Sequence, residues 1–195
     1  MASQDSIQQL LDLPELEAQK RWLAEHASML DDEVAAALKQ RADELLRADV
    51  QRSLETVNLM LYMAELTGNA HHRALGLRAE GNVRCLGGLG EYERACELYD
   101  EAAEIYHASG RLVDEAKSLI GKLYALPFLG RYAEALEIGR WVRGILEEHG
   151  EWRRLAAVTL NLGTIRGRMG RDAESLALFD QAKELYHRLG DEGRP

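Results

Sequence analysis

Histidine, cysteine and clustered arginine are the side chains of this sequence best suited to bind a metal, attack a substrate or hold an anion. His71 and His72 are adjacent, and neighbours on a helix point about 100° apart, so the two do not readily share one ion. His107, His149 and His187 stand just ahead of glycines, where a partial positive charge suits the carboxyl end of a helix. Cys85 and Cys96 lie eleven positions apart with no CxxC pair and no Cys/His cluster, so neither a zinc site nor a disulfide framework is expected. Buried free thiols in a reducing compartment fit that spacing. No GxSxG, P-loop or HExxH string occurs. These residues predict no catalytic site, no metal and no cofactor.

Arginine is the exception, because Arg140, Arg143, Arg153, Arg154, Arg166, Arg168 and Arg171 crowd one stretch against Glu147, Glu148 and Glu151. An acidic or phosphorylated ligand would dock on such a surface. The alternative is a solvated helix face laced with spaced ion pairs. Over the whole chain, 24 basic and 33 acidic residues give a formal charge of −9, which disfavours attraction to a nucleic-acid backbone. Residues 1–70 hold 13 acids and 6 bases, and residues 71–195 hold 20 and 18, so the acidity is concentrated in the amino-terminal third. The first thirty residues lack a basic start followed by an apolar run, and no stretch reaches ~18 uninterrupted apolar residues. A cytoplasmic protein away from membranes is expected.

The elements that position these residues emerge when the sequence is slid along itself. A shift of forty brings Gly90, Gly130 and Gly170 into register, and with them Gly110, Gly150 and Gly190. The strings Leu89-Gly90-Glu91-Tyr92-Glu93-Arg94-Ala95, Leu129-Gly130-Arg131-Tyr132-Ala133-Glu134-Ala135 and Met169-Gly170-Arg171-Asp172-Ala173-Glu174-Ser175 superimpose, and Tyr106-His107 recurs as Tyr186-His187. An apolar run at helical spacing, such as Leu119, Leu123, Leu126 and Leu129, precedes each turn and a second follows it. Each copy is a helix hairpin of about forty residues, reversed at a glycine that takes a left-handed cap. Ala95, Ala135 and Ser175 sit one turn into the second helix, where close approach leaves no space for a larger side chain. Few prolines and abundant Ala, Leu, Glu and Arg agree with an all-α fold.

The organisation predicted is residues 1–30 as capping helices, with Pro14 starting the second, and 31–70 as a degenerate repeat closing at Gly68. Repeats follow at 71–110, 111–150 and 151–190, with a tail at 191–195.

The Gly-x-Tyr-x-x-Ala turn, followed by Tyr99 or Phe179 and then Ala102 or Ala182, resembles the tetratricopeptide repeat family in a long, roughly forty-residue variety. The HEAT repeat, of similar length, is the structural alternative. Gly139 stands where the second copy would carry the aromatic, and Asp172 where the third would carry the turn tyrosine. The stretch Ser118-Leu119-Ile120-Gly121-Lys122-Leu123-Tyr124-Ala125-Leu126 resembles the amino-terminal repeat regions of bacterial CHAT-domain proteins, which are caspase-like.

The resemblance implies a right-handed superhelical stack, an α-solenoid whose first helices line a concave groove that holds a peptide or partner protein. It places Leu77, Glu80, Gly81 and Arg84 on that surface, then Lys117, Ile120, Gly121, Tyr124 and Phe128, then Leu160, Asn161, Thr164 and Arg168. Arg84, Tyr124, Asn161, Thr164 and Arg168 are the expected contacts, since aromatic and arginine side chains are frequent anchors. Core packing is the alternative for Tyr124 and Phe128. The paired Lys and Asn of carboxylate-clamp tetratricopeptide domains are absent, because the corresponding positions hold Glu80/Arg84, Ile120/Tyr124 and Leu160/Thr164. A sensor or recruitment arm of a larger bacterial signalling protein is implied, with a self-contained scaffold as the alternative. The last copy should close at Gly190 and leave Leu176, Leu178, Phe179, Leu185 and Leu189 on more than one helix face, which predicts a longer protein or self-association through that helix.

Overall fold

Polar side chains mark where several helices begin in the computed structural model, which describes residues 4–192. Asp31 accepts hydrogen bonds from the Glu33 and Val34 amides, Asp49 from Arg52 and Asn69 from His71, each satisfying donors that a first helical turn leaves unpaired. The helices are α1 (Gln4–Asp12), α2 (Leu16–Glu25), α3 (Asp32–Leu45), α4 (Val50–Thr67), α5 (Ala70–Leu86) and α6 (Tyr92–Ala108). They continue as α7 (Leu112–Leu119), α8 (Lys122–Phe128), α9 (Tyr132–Glu148), α10 (Trp152–Arg168) and α11 (Asp172–Glu192), with one 3-10 turn at Ala27–Met29. No strand occurs among the described residues, so the fold is all-α.

The turns are built as the glycine columns predict. Gly90, Gly110, Gly130, Gly150 and Gly170 have φ of 71, 68, 73, 69 and 71°, a left-handed conformation that costs a Cβ-bearing residue about 1–2 kcal/mol. Around Gly130 the Arg131 amide donates to the Leu126 carbonyl at 3.0 Å and the Gly130 amide to Pro127 at 3.3 Å. The same pair of bonds closes the turns at Gly150 and Gly170, and satisfies carbonyls that a helix end otherwise orphans. Gly68 also caps α4 left-handed, at φ 61°.

Four expectations are corrected. Gly190 forms no turn, because α11 runs through it to Glu192, and His187 consequently lies inside that helix rather than at its carboxyl end. The first helix of the 111–150 copy is broken into α7 and α8 at Ile120-Gly121, upstream of Pro127, whose ring lacks an N–H and crowds the Leu123 carbonyl. Helix α5 stops at Leu86, because Gly87 and Gly88 intervene before Gly90 and the reversal is wider than in the later copies. Pro14 lies two residues ahead of α2, outside the helix it was expected to start.

The chain divides into two compact units, residues 1–106 and 107–195. In the first, Leu10, Leu23, Leu38, Leu59, Met60 and Met63 are buried between α1 and α4, and Ala74, Leu77, Leu98, Ala102 and Tyr106 form a second cluster between α5 and α6. His72 is buried there, bonded through Nε2 to Asp32 at 2.9 Å and through Nδ1 to Thr67 at 3.1 Å, which ties the start of α3 to the α4–α5 turn. Both cysteines are buried and neither forms a disulfide. Burial, reinforced by neighbouring Cys96, pushes the Cys85 thiol up to about 12, so it stays protonated and unreactive at neutral pH.

In the second unit, Leu123, Leu126, Val142, Leu146, Leu155, Val158, Leu162 and Ile165 are buried between α8, α9 and α10. Ala135 is fully buried, and buried Ser175 in the same column donates its hydroxyl to the Gly163 carbonyl at 2.8 Å, so the small residue of each hairpin lies at a close helix approach.

Missing Cβ atoms decide how the hairpins interlock. In the first unit the Tyr99 ring lies where a Cβ on Gly81 would come within 2.7 Å, and in the second unit Phe179 takes the same relation to Gly163. The second copy inverts the device. Its aromatic position is Gly139, and the space is taken by Leu162 from α10, whose Cδ2 would lie 2.5 Å from an added Cβ.

Candidate partner-binding face

Four of the five expected contacts fall in the second unit. Tyr124 and Phe128, one helical turn apart on α8, are 42% and 43% exposed, so the core alternative does not describe them. Their rings are 5.2 Å apart between centroids. The side chains on either side of Tyr124, Leu123 and Ala125, are buried with Leu126, so α8 shows one face to the core and this aromatic pair to solvent. The Arg168 guanidinium lies 4.6 Å from the Phe128 centroid, a cation–π contact that joins α10 to α8.

That contact spans forty positions, the period of the repeat. On α10, Leu160, Thr164 and Arg168 are exposed one turn apart, and Asn161 is half-buried beside them. The Thr164 hydroxyl donates back to the Leu160 carbonyl at 3.1 Å. Arg168 forms no ion pair among the described residues.

Arg84 is in the first unit and is differently engaged. It donates through Nε to Glu80 at 2.8 Å and makes a second ion pair with Glu91, so both edges of its guanidinium are held within its own hairpin.

The other expected surface cation of the second unit, Lys117 on α7, pairs with Glu151 at the start of α10. Its hydrogen bond holds the Glu151 carboxyl below the ordinary carboxylate range against the opposing effect of burial, with Arg154 helping at 3.0 Å. A depressed folded value means this stabilisation is complete above the unfolded carboxylate value of about 4.3 and disappears as pH falls through the lower folded value. Glu151→Gln should therefore cost about 1 kcal/mol or less at neutral pH, and the cost should shrink as pH falls below about 4.3 and vanish once the folded carboxyl is protonated. Urea titrations at neutral and acid pH measure both, and an equal loss at the two would exclude the ion pair as its cause.

Helix α11 adds a surface that the repeat alignment did not single out. Leu160, Phe179, Ala182, Lys183, Tyr186 and His187 line an open cleft of about 390 Å³ between α10 and α11. Tyr186 occupies the column of Tyr106, which in the first unit is buried and bonded to His71 at 3.0 Å. Leu160 was expected on the groove and Phe179 on an uncovered face of the last helix, and the recurrence of Tyr-His is the further trace of this cleft in the sequence. Among the described residues no group of three or more metal-capable side chains converges, and no helix is long and apolar enough to cross a membrane.

No family model matches the chain. It is 33% identical over 160 residues to the pentatricopeptide repeat-containing protein 10, chloroplastic, of Zea mays, an alignment that takes in 77% of this chain and 19% of that protein. The chain thus spans about a fifth of that relative's length. Among solved structures it resembles the crystal structure of BtubC (BKLC) from P. vanneervenii, with a TM-score of 0.67 and 19% identity over 92% of this chain and 74% of the other. At that identity the likeness concerns the fold alone. This is a helical repeat protein with an all-α, solenoid-type fold.

Proposed function

We propose that the chain is a protein-interaction module of the long tetratricopeptide kind, holding a peptide or partner protein against the exposed face of α8 and α10. Asn161, Thr164, Tyr124 and Arg168 make the contacts, and Arg84 marks the corresponding position in the first unit. One observation carries the reading: two large aromatic side chains stand open to solvent on a leucine-rich helix, with an arginine that no carboxylate among the described residues neutralises. Frequent interface anchors are of these kinds. The reading includes no catalytic step and no cofactor.

Residues 1–106 carry 20 acids against 10 bases, a surface ill matched to nucleic acid. In the whole protein, the module acts as the sensor or recruitment arm of a bacterial signalling or effector protein of the CHAT-domain kind. It works in a reducing cytoplasm, away from membranes, where Cys85 and Cys96 stay thiols. Capture of partners from source lysate on the immobilised chain tests the role. Tyr124→Ala, which removes an exposed ring, should leave the thermal melt unchanged and deplete the captured proteins roughly tenfold or more. Undiminished capture would remove the reading.

A second reading has its own support, since Leu176 is 63% exposed and Tyr186 is open on the same helix. In it the chain is a self-contained scaffold that associates through α11 as a homo-oligomer. Light scattering over a concentration series separates the two, because Leu176→Asp dissociates such an oligomer and leaves a monomeric interaction module unaltered.

A further inference from the structure

Charge along α10 narrows what the exposed face can hold. The helix carries Arg153, Arg154, Arg166 and Arg168 and no acidic residue, in a chain whose net charge is −9. Arg154 and Arg166 are neutralised by Glu151 and Glu174, from the turn before α10 and from α11. Arg168 is not, and Phe128 covers one side of its guanidinium. A guanidinium stacked on a ring keeps its N–H edge free for a carboxylate. Eight residues before Arg168 on the same helix, Leu160 opens into the apolar cleft with Phe179 and Tyr186, and the other polar side chains lining that cleft, Lys183 and His187, include no acid.

We propose that the occupant of this face is an extended, acidic segment of a partner protein. One carboxylate pairs with Arg168, and an apolar side chain lodges in the cleft at Leu160. This rests on the interaction reading above and specifies its ligand. The two anchors are eight residues apart on α10, about 12 Å along its axis at 1.5 Å per residue. An extended chain covers that distance in about four residues at ~3.3 Å each. The carboxylate and the apolar anchor of the partner are therefore three to five positions apart.

Selection of random peptides displayed on phage, carried out in parallel on the native chain, Arg168→Gln and Tyr124→Ala, tests this. The native chain should enrich peptides with Asp or Glu three to five positions from Leu, Phe or Trp. Fluorescence anisotropy on the best of them should show roughly tenfold or greater weakening with Arg168→Gln. Binding should also weaken as salt is raised. Arg168→Lys restores the charge without the planar fork and should recover part of the loss. Enriched peptides with no acidic preference, still lost with Tyr124→Ala, would overturn the acidic ligand while leaving an interaction face. A spacing near eight would indicate a helical occupant and overturn the extended segment. No enrichment on any form, or tighter binding of a single-stranded RNA than of any peptide, would overturn the ligand and the interaction reading together.

Discussion

Replacing Tyr99 with alanine should remove about 3–5 kcal/mol of stability, the range expected for deleting a fully buried aromatic side chain. Tyr99 has no exposed surface, its ring fills the space left by the missing Cβ of Gly81, and its hydroxyl donates to the Asn82 carboxamide at 3.1 Å. Burial, the largest cause, raises the phenol above its ordinary pKa, in keeping with a ring sealed from water. Tyr99→Phe keeps the ring and gives up one neutral hydrogen bond, so it should cost about 0.5–1.5 kcal/mol. Gly81→Ala drives a methyl to within 2.7 Å of the ring and should cost about 1–3 kcal/mol in the native background. In the Tyr99→Ala background that cost should shrink or change sign, because the obstructing ring is gone. Urea unfolding of the four variants supplies every number, and additive costs for the two sites would show that they do not meet.

Leu162→Ala should cost about 2–5 kcal/mol, through lost burial and the cavity left at the α9–α10 approach. Its partner residue makes the test sharper. Gly139 sits mid-helix in α9, where alanine is worth about 1 kcal/mol more than glycine by helix propensity alone. In the native chain that gain is outweighed, because the added methyl would lie 2.5 Å from Leu162 Cδ2 and 3.4 Å from Leu123 Cδ2. Gly139→Ala should therefore destabilise the native chain and stabilise Leu162→Ala. A stabilising effect in both backgrounds would mean that the two helices do not approach as closely as described.

The glycine columns were legible because a left-handed turn restricts residue type, so spacing alone located Gly90, Gly110, Gly130, Gly150 and Gly170. Gly190 shared the column without the turn. A glycine permits the left-handed conformation but does not impose it, and here α11 simply continues. The break between α7 and α8 was not legible, because the sequence at Ile120-Gly121 reads as unbroken helix and Pro127 acts directly no further back than the Leu123 carbonyl. Gly139 looked like a defect in the repeat because the register compared like positions. Its partner, Leu162, comes from the following hairpin, which no comparison within one copy reveals.

On the proposed binding face, Tyr124 and Phe128 could not be told from core by pattern, since Leu123, Ala125, Leu126 and Pro127 surround them. The difference between the two arginines was more accessible. Arg84 has Glu80 one turn behind it on its own helix, whereas the four positions before Arg168 on α10 hold no acid. The α10–α11 cleft needed coordinates, because it depends on Tyr186 being open where its counterpart Tyr106 is buried.

Site-specific photocrosslinking locates the partner most directly. A photoreactive phenylalanine analogue at position 124 compares the face with the same analogue at position 141 on α9, where Trp141 is 38% exposed against 42% for Tyr124. Irradiation in source lysate should yield discrete protein adducts from position 124 and none from position 141. Equal adducts from both, or adducts from position 141 alone, would contradict the assignment of partner binding to α8 and α10.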